Sequence, residues 1–426
     1  MINNKDIRNT KRGLVIRITK PTNDATFFGT MCMCISAGLP YIDSLPSYVR
    51  WGLPIIGLLL FFLGNSRNTK FLMEAFAILS IAAIVNLYAY YQAYGAIYSF
   101  NGFFVRSMEC WVFIIMALYY LNNSDDSAKK YISYLIVLLA IITCVTSLMV
   151  LPRYPNAIRS LGNGGKGFET GLAQYLYAHN VSTWGLCYAI CFLIPSLSAN
   201  YRKTGKKIVL LIIALFEILV VFSQVTFAII ISLVFIAFVF IRPIKPKHMI
   251  WGAIGIICVF IFLNSYLADI LLFVSDVLSR RGSLSTLSKR VYQMYMTLNG
   301  YRAYGDVEAR FDLYSISINT FLRHPIFGMH DTSGQRYVNI GFHSQIFDML
   351  ASIGVVGFVP IAVMFITKVK SIYLSFKTEN EKNYYFIGIC MLVVLMLMNP
   401  VYYSPSIFMT TILFPVLLYD ISKSAT

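Results

Sequence analysis

Charge is what this sequence holds least of. Only 13% of its 426 residues are Asp, Glu, Lys or Arg, while 58% are hydrophobic and the mean hydropathy is +0.67. Soluble globular domains carry about 25% charged residues, so that class is excluded and a polytopic membrane protein is expected. Strict alternation of apolar and polar positions is also missing. The apolar runs are continuous, which excludes a β-barrel. The eight cysteines (Cys32, Cys34, Cys110, Cys144, Cys187, Cys191, Cys258 and Cys390) fall in apolar segments or at their edges, so neither a disulfide framework nor a zinc site is indicated. There is no internal repeat and no low-complexity tract. Residues 1–24 are polar and basic without a signal-peptide pattern, and are expected to stay in the cytoplasm.

What is present is a series of apolar runs. About 20 apolar residues cross the hydrocarbon core as a helix. Twelve candidates can be drawn, at 25–40, 49–64, 71–91, 102–121, 130–151, 171–195, 207–223, 225–241, 248–272, 343–367, 383–398 and 406–421. The sixth contains His179 and Asn180, polar groups that at such depth usually face a cavity. The fold expected is an all-α membrane protein of about 12 transmembrane helices. Nine lie in residues 25–272, with an outer loop at 152–170, and three in residues 343–426.

The formal net charge of +16 does not indicate nucleic acid, because the basic residues are dispersed over many short connections. They alternate by side instead. One set carries Arg67 and Lys70, Lys129 and Lys130, then Arg202, Lys203, Lys206 and Lys207. It continues with Arg242, Lys245 and Lys247, and with Lys368, Lys370, Lys377 and Lys382. The short connections of the other set, near 41–48, 92–101, 224 and 399–405, carry no lysine or arginine. Cytoplasmic loops are the lysine- and arginine-rich ones, so both termini are expected inside, with anionic membrane lipid against the basic loops.

Two outward connections, 152–170 and 273–342, break the pattern. They hold Arg153, Arg159, Lys166, Arg280, Arg281, Lys289, Arg290, Arg302, Arg310, Arg323 and Arg336. Arginine, which grips phosphate with two parallel N–H groups, dominates here, whereas lysine dominates inside. Residues 273–342 are too many for a structureless loop. The spacing of Phe311, Tyr314, Ile318, Phe321 and Leu322 predicts a helix from Arg310 to Leu322, ended by Pro325 and Gly328. A large, mostly helical outer loop late in the chain follows.

That loop runs into Gly341-Phe342-His343-Ser344-Gln345. With a helical period His343, Phe347, Leu350, Gly354 and Gly357 share one stripe. Its histidine is expected in the first turn, in the positive field of the helix start. Its glycines are expected to admit a neighbouring helix closely.

Three elements, Arg310-Phe311-Asp312-Leu313-Tyr314, His324-Pro325-Ile326-Phe327-Gly328 and His343-Ser344 with Gly354-Val355-Val356-Gly357, together resemble the O-antigen polymerase and O-antigen ligase superfamily. His330 stands where members often have a second glycine, and Arg159-Ser160-Leu161-Gly162-Asn163-Gly164 matches the family's arginine-bearing loop loosely. The resemblance implies a GT-C-like integral-membrane glycosyltransferase, metal-independent and without a cofactor. Such an enzyme takes glycan from undecaprenyl diphosphate on the outer face of the bacterial cytoplasmic membrane. It implies His343 as general base and Arg310 as the clamp on developing negative charge. Arg159, Arg323, Arg336, Ser344, Gln345 and Tyr314 are the further candidates for diphosphate and glycan, and Tyr154, Tyr301, Tyr304, Tyr337 and Phe342 are candidate sugar platforms. The partners expected are a lipid-linked glycan donor and acceptor, membrane lipid, a chain-length regulator and a flippase.

The reading preferred is polymerisation of lipid-linked repeat units into O-antigen or capsule. A ligase passing glycan to a lipid A core shares the donor and the chemistry. A lipid-linked oligosaccharide flippase, with no chemistry, would need a charged cavity among the spans and repeat symmetry. Ionisable residues there are few: Glu74, Arg106, Glu109 and Glu217.

Overall fold

A computed structural model describes residues 23–123, 125–162, 171–240, 264–280, 285–298, 306–330, 338–402 and 404–419. Among them the chain is all-helical. Among the described residues six helices are long and apolar enough to cross a membrane, and the protein is a multi-pass membrane protein. They are α2 (Ser47–Gly64), α3 (Thr69–Gln92), α4 (Arg106–Asn122, entered through a π turn, Asn101–Val105), α5 (Asp126–Val150), α14 (Gln345–Ser375) and α15 (Glu379–Met398). Before them stands α1 (Asp24–Gly38); between α5 and α14 come α6 (Ala157–Gly162), α7 (Leu172–Ala178), α8 (Trp184–Thr204), α9 (Lys207–Phe222), α10 (Thr226–Phe240), α11 (Asn264–Ser279), α12 (Ser285–Leu298) and α13 (Asp306–Arg323). The chain closes with α16 (Pro405–Leu418), which contains a π turn at Met409–Leu413.

Local chemistry explains most boundaries. Asn68, Asp125, Thr183 and Ser344 each cap a helix by accepting a backbone N–H, and Thr378 with Glu381 forms a full capping box at α15. Gly205, at φ +66°, ends α8 in the left-handed conformation.

The core is made by helices that are apolar on every side. Most of α16, of α4 and of α8 is buried, and α16 packs against both of the others. Around them α2, α3, α5 and α14 turn apolar residues outward, among them Ile55, Leu59, Met73, Ile84, Leu138, Val363 and Ile366. In water such a surface would drive aggregation; facing lipid it is at rest.

Three sequence expectations are corrected. Residues 171–195 are not one span. The chain leaves helix at His179 and re-enters at Trp184, because Asn180 adopts φ +53°. Its amide ties the break to its neighbours, accepting from Tyr41 N at 3.1 Å and donating to Thr143 Oγ1 at 3.1 Å. Second, His343 lies two residues ahead of α14, whose cap is Ser344, since Phe342 at φ +54° turns the chain first. Third, Gly354 of the glycine stripe receives a turn and not a helix. Gly354 has φ +59° and ψ −168°, so α14 breaks there. The freed amides of Val355 and Val356 donate to the carbonyls of Pro325 and Ile326 at 2.9 and 3.1 Å. Met329 N returns a bond to Ala351 O at 2.8 Å. The His324–Gly328 turn therefore plugs the helix break and satisfies its backbone. A Cβ on Gly354 would run into the Ile326 carbonyl, and one on Gly328 into that of Ser352.

The expected split at Ser223–Gln224 is present, with Gln224 at φ +55°. Of residues 273–342, the described part is mostly helical and contains α12 and α13. The segment 248–263 of the expected ninth span lies outside the described residues.

Candidate functional site

The candidate site starts from α13. A step of three or four residues puts Arg310, Leu313, Tyr314 and Ser317 on one stripe facing the start of α14. Ser317 Oγ donates to Asp348 Oδ1 at 2.6 Å and accepts from Gly341 N at 2.9 Å. Asp348 Oδ2 accepts from Ser344 N at 2.9 Å, and Ser344 Oγ accepts from Phe347 N at 3.2 Å. All three polar side chains, Ser317, Ser344 and Asp348, are buried. The loop that carries His343 is thus bolted to α13 and to the first turn of α14 at once.

Within that loop His343 Nδ1 lies 3.0 Å from the Gly341 carbonyl oxygen. A carbonyl can only accept, so Nδ1 carries the proton. In the neutral ring the lone pair is therefore on Nε2, the state a general base requires.

His343 lines a cavity of about 1010 Å³, together with Arg310 and Arg159. The first comes from α13 and the second from α6, so residues far apart in the chain meet here. Three more arginines line the same cavity: Arg50 from α2, Arg106 from α4 and Arg290 from α12. Asp43 is the one carboxylate among the described lining residues. Trp51, Tyr98, Tyr177, Trp184, Tyr188 and Phe342 give aromatic surface, and Gln224, Asn399, Ser404 and Ser406 give uncharged polar groups. Arg310 forms no ion pair among the described residues. Its charge reaches the Tyr314 hydroxyl: burial lifts that phenol above its ordinary pKa, while Arg310 pulls the other way.

The remaining sequence candidates are placed elsewhere. Tyr314 stands behind Arg310, its hydroxyl donating to the Met398 carbonyl at 2.9 Å. Gln345 Oε1 accepts from Val401 N at 3.0 Å, and its own carbonyl accepts from the Tyr402 hydroxyl at 3.0 Å. Ser344 and Gln345 are thus bonded to backbone and hold the loop. Arg323 is exposed at the end of α13, outside the cavity lining. Arg336, Tyr301, Tyr304 and Tyr337 lie outside the described residues. Tyr154 packs edge-on against Tyr175, and of the aromatic candidates Phe342 reaches the cavity.

Sequence reading passed over Arg50, Arg106 and Arg290 as site residues. The signal was there for two of them, since an arginine within or at the edge of an apolar span needs a partner or a cavity. Arg290 resembled its neighbours in the outer loop, and its placement depends on contact with α10, where its Nη1 donates to Thr226 Oγ1 at 3.1 Å.

The chain matches no protein-family model, no curated protein and no solved structure. What the site does is argued from its chemistry.

Proposed function

We propose that this protein is an integral-membrane glycosyltransferase of GT-C-like architecture and about twelve spans. It polymerises undecaprenyl-diphosphate-linked repeat units into O-antigen or capsular polysaccharide on the outer face of the cytoplasmic membrane. One observation carries the reading: a single cavity gathers His343, Arg159 and Arg310 with three further arginines. The sequence likeness nominated the first three independently.

The chemistry follows from those groups. An acceptor sugar hydroxyl gives its proton to His343 Nε2, and its oxygen bonds to the anomeric carbon of the donor. The bond from that carbon to the lipid diphosphate breaks, and its electron pair stays on phosphate oxygen. Diphosphate is already a good leaving group, so the site needs positive charge more than an acid. Preorganised guanidiniums supply it where negative charge grows, and a placed base contributes about 10²–10⁴-fold.

The test uses purified protein in lipid nanodiscs with synthetic undecaprenyl-diphosphate repeat units and no added metal. A product ladder from the wild type, lost in His343→Ala and Arg310→Ala while both remain folded, is the expected result. Glycan transfer only after a lipid A core is added would replace polymerase by ligase. No transfer under either condition would favour a flippase.

A further inference from the structure

Some charges of the cavity are paired with one another. Asp43 Oδ1 lies 3.0 Å from Arg50 Nε and 3.1 Å from Arg106 Nη2. Arg106 Nη1 donates to Glu109 Oε2 at 3.0 Å. Two guanidiniums thus meet two carboxylates, and the cluster is electrically neutral. Trp51 holds it in place, with the guanidinium carbons of Arg50 and Arg106 5.0 and 5.2 Å from its ring centre. Hydrogen-bonding capacity is left over. Among the described residues Asp43 Oδ2 and the two Nη groups of Arg50 make no hydrogen bond, and the Arg50 side chain is 37% exposed.

Arg310, Arg290, Arg159 and His343 line the same cavity. Tyr177 lies in the field of Asp43, Arg50 and Arg106, whereas Tyr188 lies in that of Arg310 and Arg290.

A lipid diphosphate is drawn to Arg310, which forms no ion pair among the described residues. A neutral cluster with fixed donors and a fixed acceptor offers it little, but it suits a ligand whose groups both give and take hydrogen bonds without net charge. Sugar hydroxyls do this: one can donate to Asp43 while accepting from Arg50, each bond strengthened by the charge on the protein side. Orientation by Trp51 lowers the entropy that such contacts would otherwise cost.

We propose that the Asp43–Arg50–Arg106 cluster is a saccharide subsite that holds hydroxyls of an uncharged sugar of the substrate, while Arg310 holds the diphosphate. This rests on the transferase reading above. Asp43 and Arg50 make the contacts with sugar; Arg106, Glu109 and Trp51 position them.

The experiment measures two probes separately by titration calorimetry in nanodiscs: inorganic diphosphate, and a lipid-free repeat-unit oligosaccharide released from the host's own surface polysaccharide. Wild type, Asp43→Asn, Arg50→Gln and Arg310→Ala are compared, with thermal melting to check folding. Asp43→Asn is expected to weaken oligosaccharide binding by about tenfold, the loss that one charge-assisted hydrogen bond carries, with diphosphate binding unchanged or tighter. Arg310→Ala is expected to do the reverse. Should Asp43→Asn misfold through loss of the Arg106 pair, the more exposed Arg50→Gln carries the same comparison. Oligosaccharide affinity unchanged in the folded variants, or no oligosaccharide binding by a wild type that binds diphosphate and makes polymer, would overturn the subsite and leave the transferase standing. A wild type that binds neither probe and makes no product would overturn both.

Discussion

The carboxylate of Asp348 and the hydroxyl of Ser317 lie 2.6 Å apart across a separation of 31 residues. That bond joins the helix bearing Arg310 to the turn that opens the helix behind His343. Because Ser317 also receives Gly341 N, the same pair fixes the backbone whose carbonyl orients the imidazole. Arg310 and His343 are therefore set relative to each other by buried hydrogen bonds. Their distance and angle are not left to the flexibility of a loop.

Ser317→Ala removes a bond to a buried carboxylate, and it should lower stability by about 1.5–3 kcal/mol. Asp348→Asn keeps the shape but places an amide donor against the Ser317 hydroxyl or the Ser344 N–H, with a comparable cost. Both variants should lose kcat more than affinity for donor lipid. Thermal melting together with single-turnover rates in nanodiscs would check this; unchanged rates would reduce the network to a structural role.

His343→Gln retains a hydrogen-bonding side chain but no base. The rate should fall by about 10²–10⁴-fold, with donor binding near the wild-type value. A binding assay with undecaprenyl diphosphate alongside the ladder assay separates the two effects.

Arg310→Lys keeps the charge and loses the planar fork that meets two phosphate oxygens at once. Lysine should therefore rescue Arg310→Ala only in part, from a loss of about 10²–10³-fold in rate. Full rescue by lysine would show that charge alone is used.

Gly354→Ala combines a left-handed φ with a Cβ driven into the Ile326 carbonyl. A destabilisation of about 1–3 kcal/mol is expected, read as a lower melting temperature. Gly52→Ala is the control, since nothing lies within 4 Å of its added carbon.

Much of this was legible in the residues themselves. The helix from Arg310 was expected to end near Pro325, and it stops at Arg323, two residues before the proline. The start of the tenth span was expected with His343 in the first turn, whereas Ser344 caps it and the helix begins at Gln345. The sixth span was misread because apolar content alone does not report a left-handed asparagine: Asn180 leaves the helix because Tyr41 and Thr143 bind its side chain. Gly354 looked like a helix-packing glycine because nothing nearby in sequence announces that Pro325 and Ile326 will supply carbonyls to the broken turn.

The sequence by itself determined that the chain is helical and membrane-borne, where many of the helices begin and end, and that Arg310 lies within the connection that runs into His343. These follow from composition, periodicity and capping, which act over a few residues. Only the tertiary structure decided that Arg50, Arg106 and Arg290 join them around one cavity, that Asp43 and Glu109 pair with Arg50 and Arg106, and that Ser344 and Gln345 hold backbone. Those outcomes depend on which helices pack together, and long-range contacts between buried polar groups leave no periodic trace in the chain.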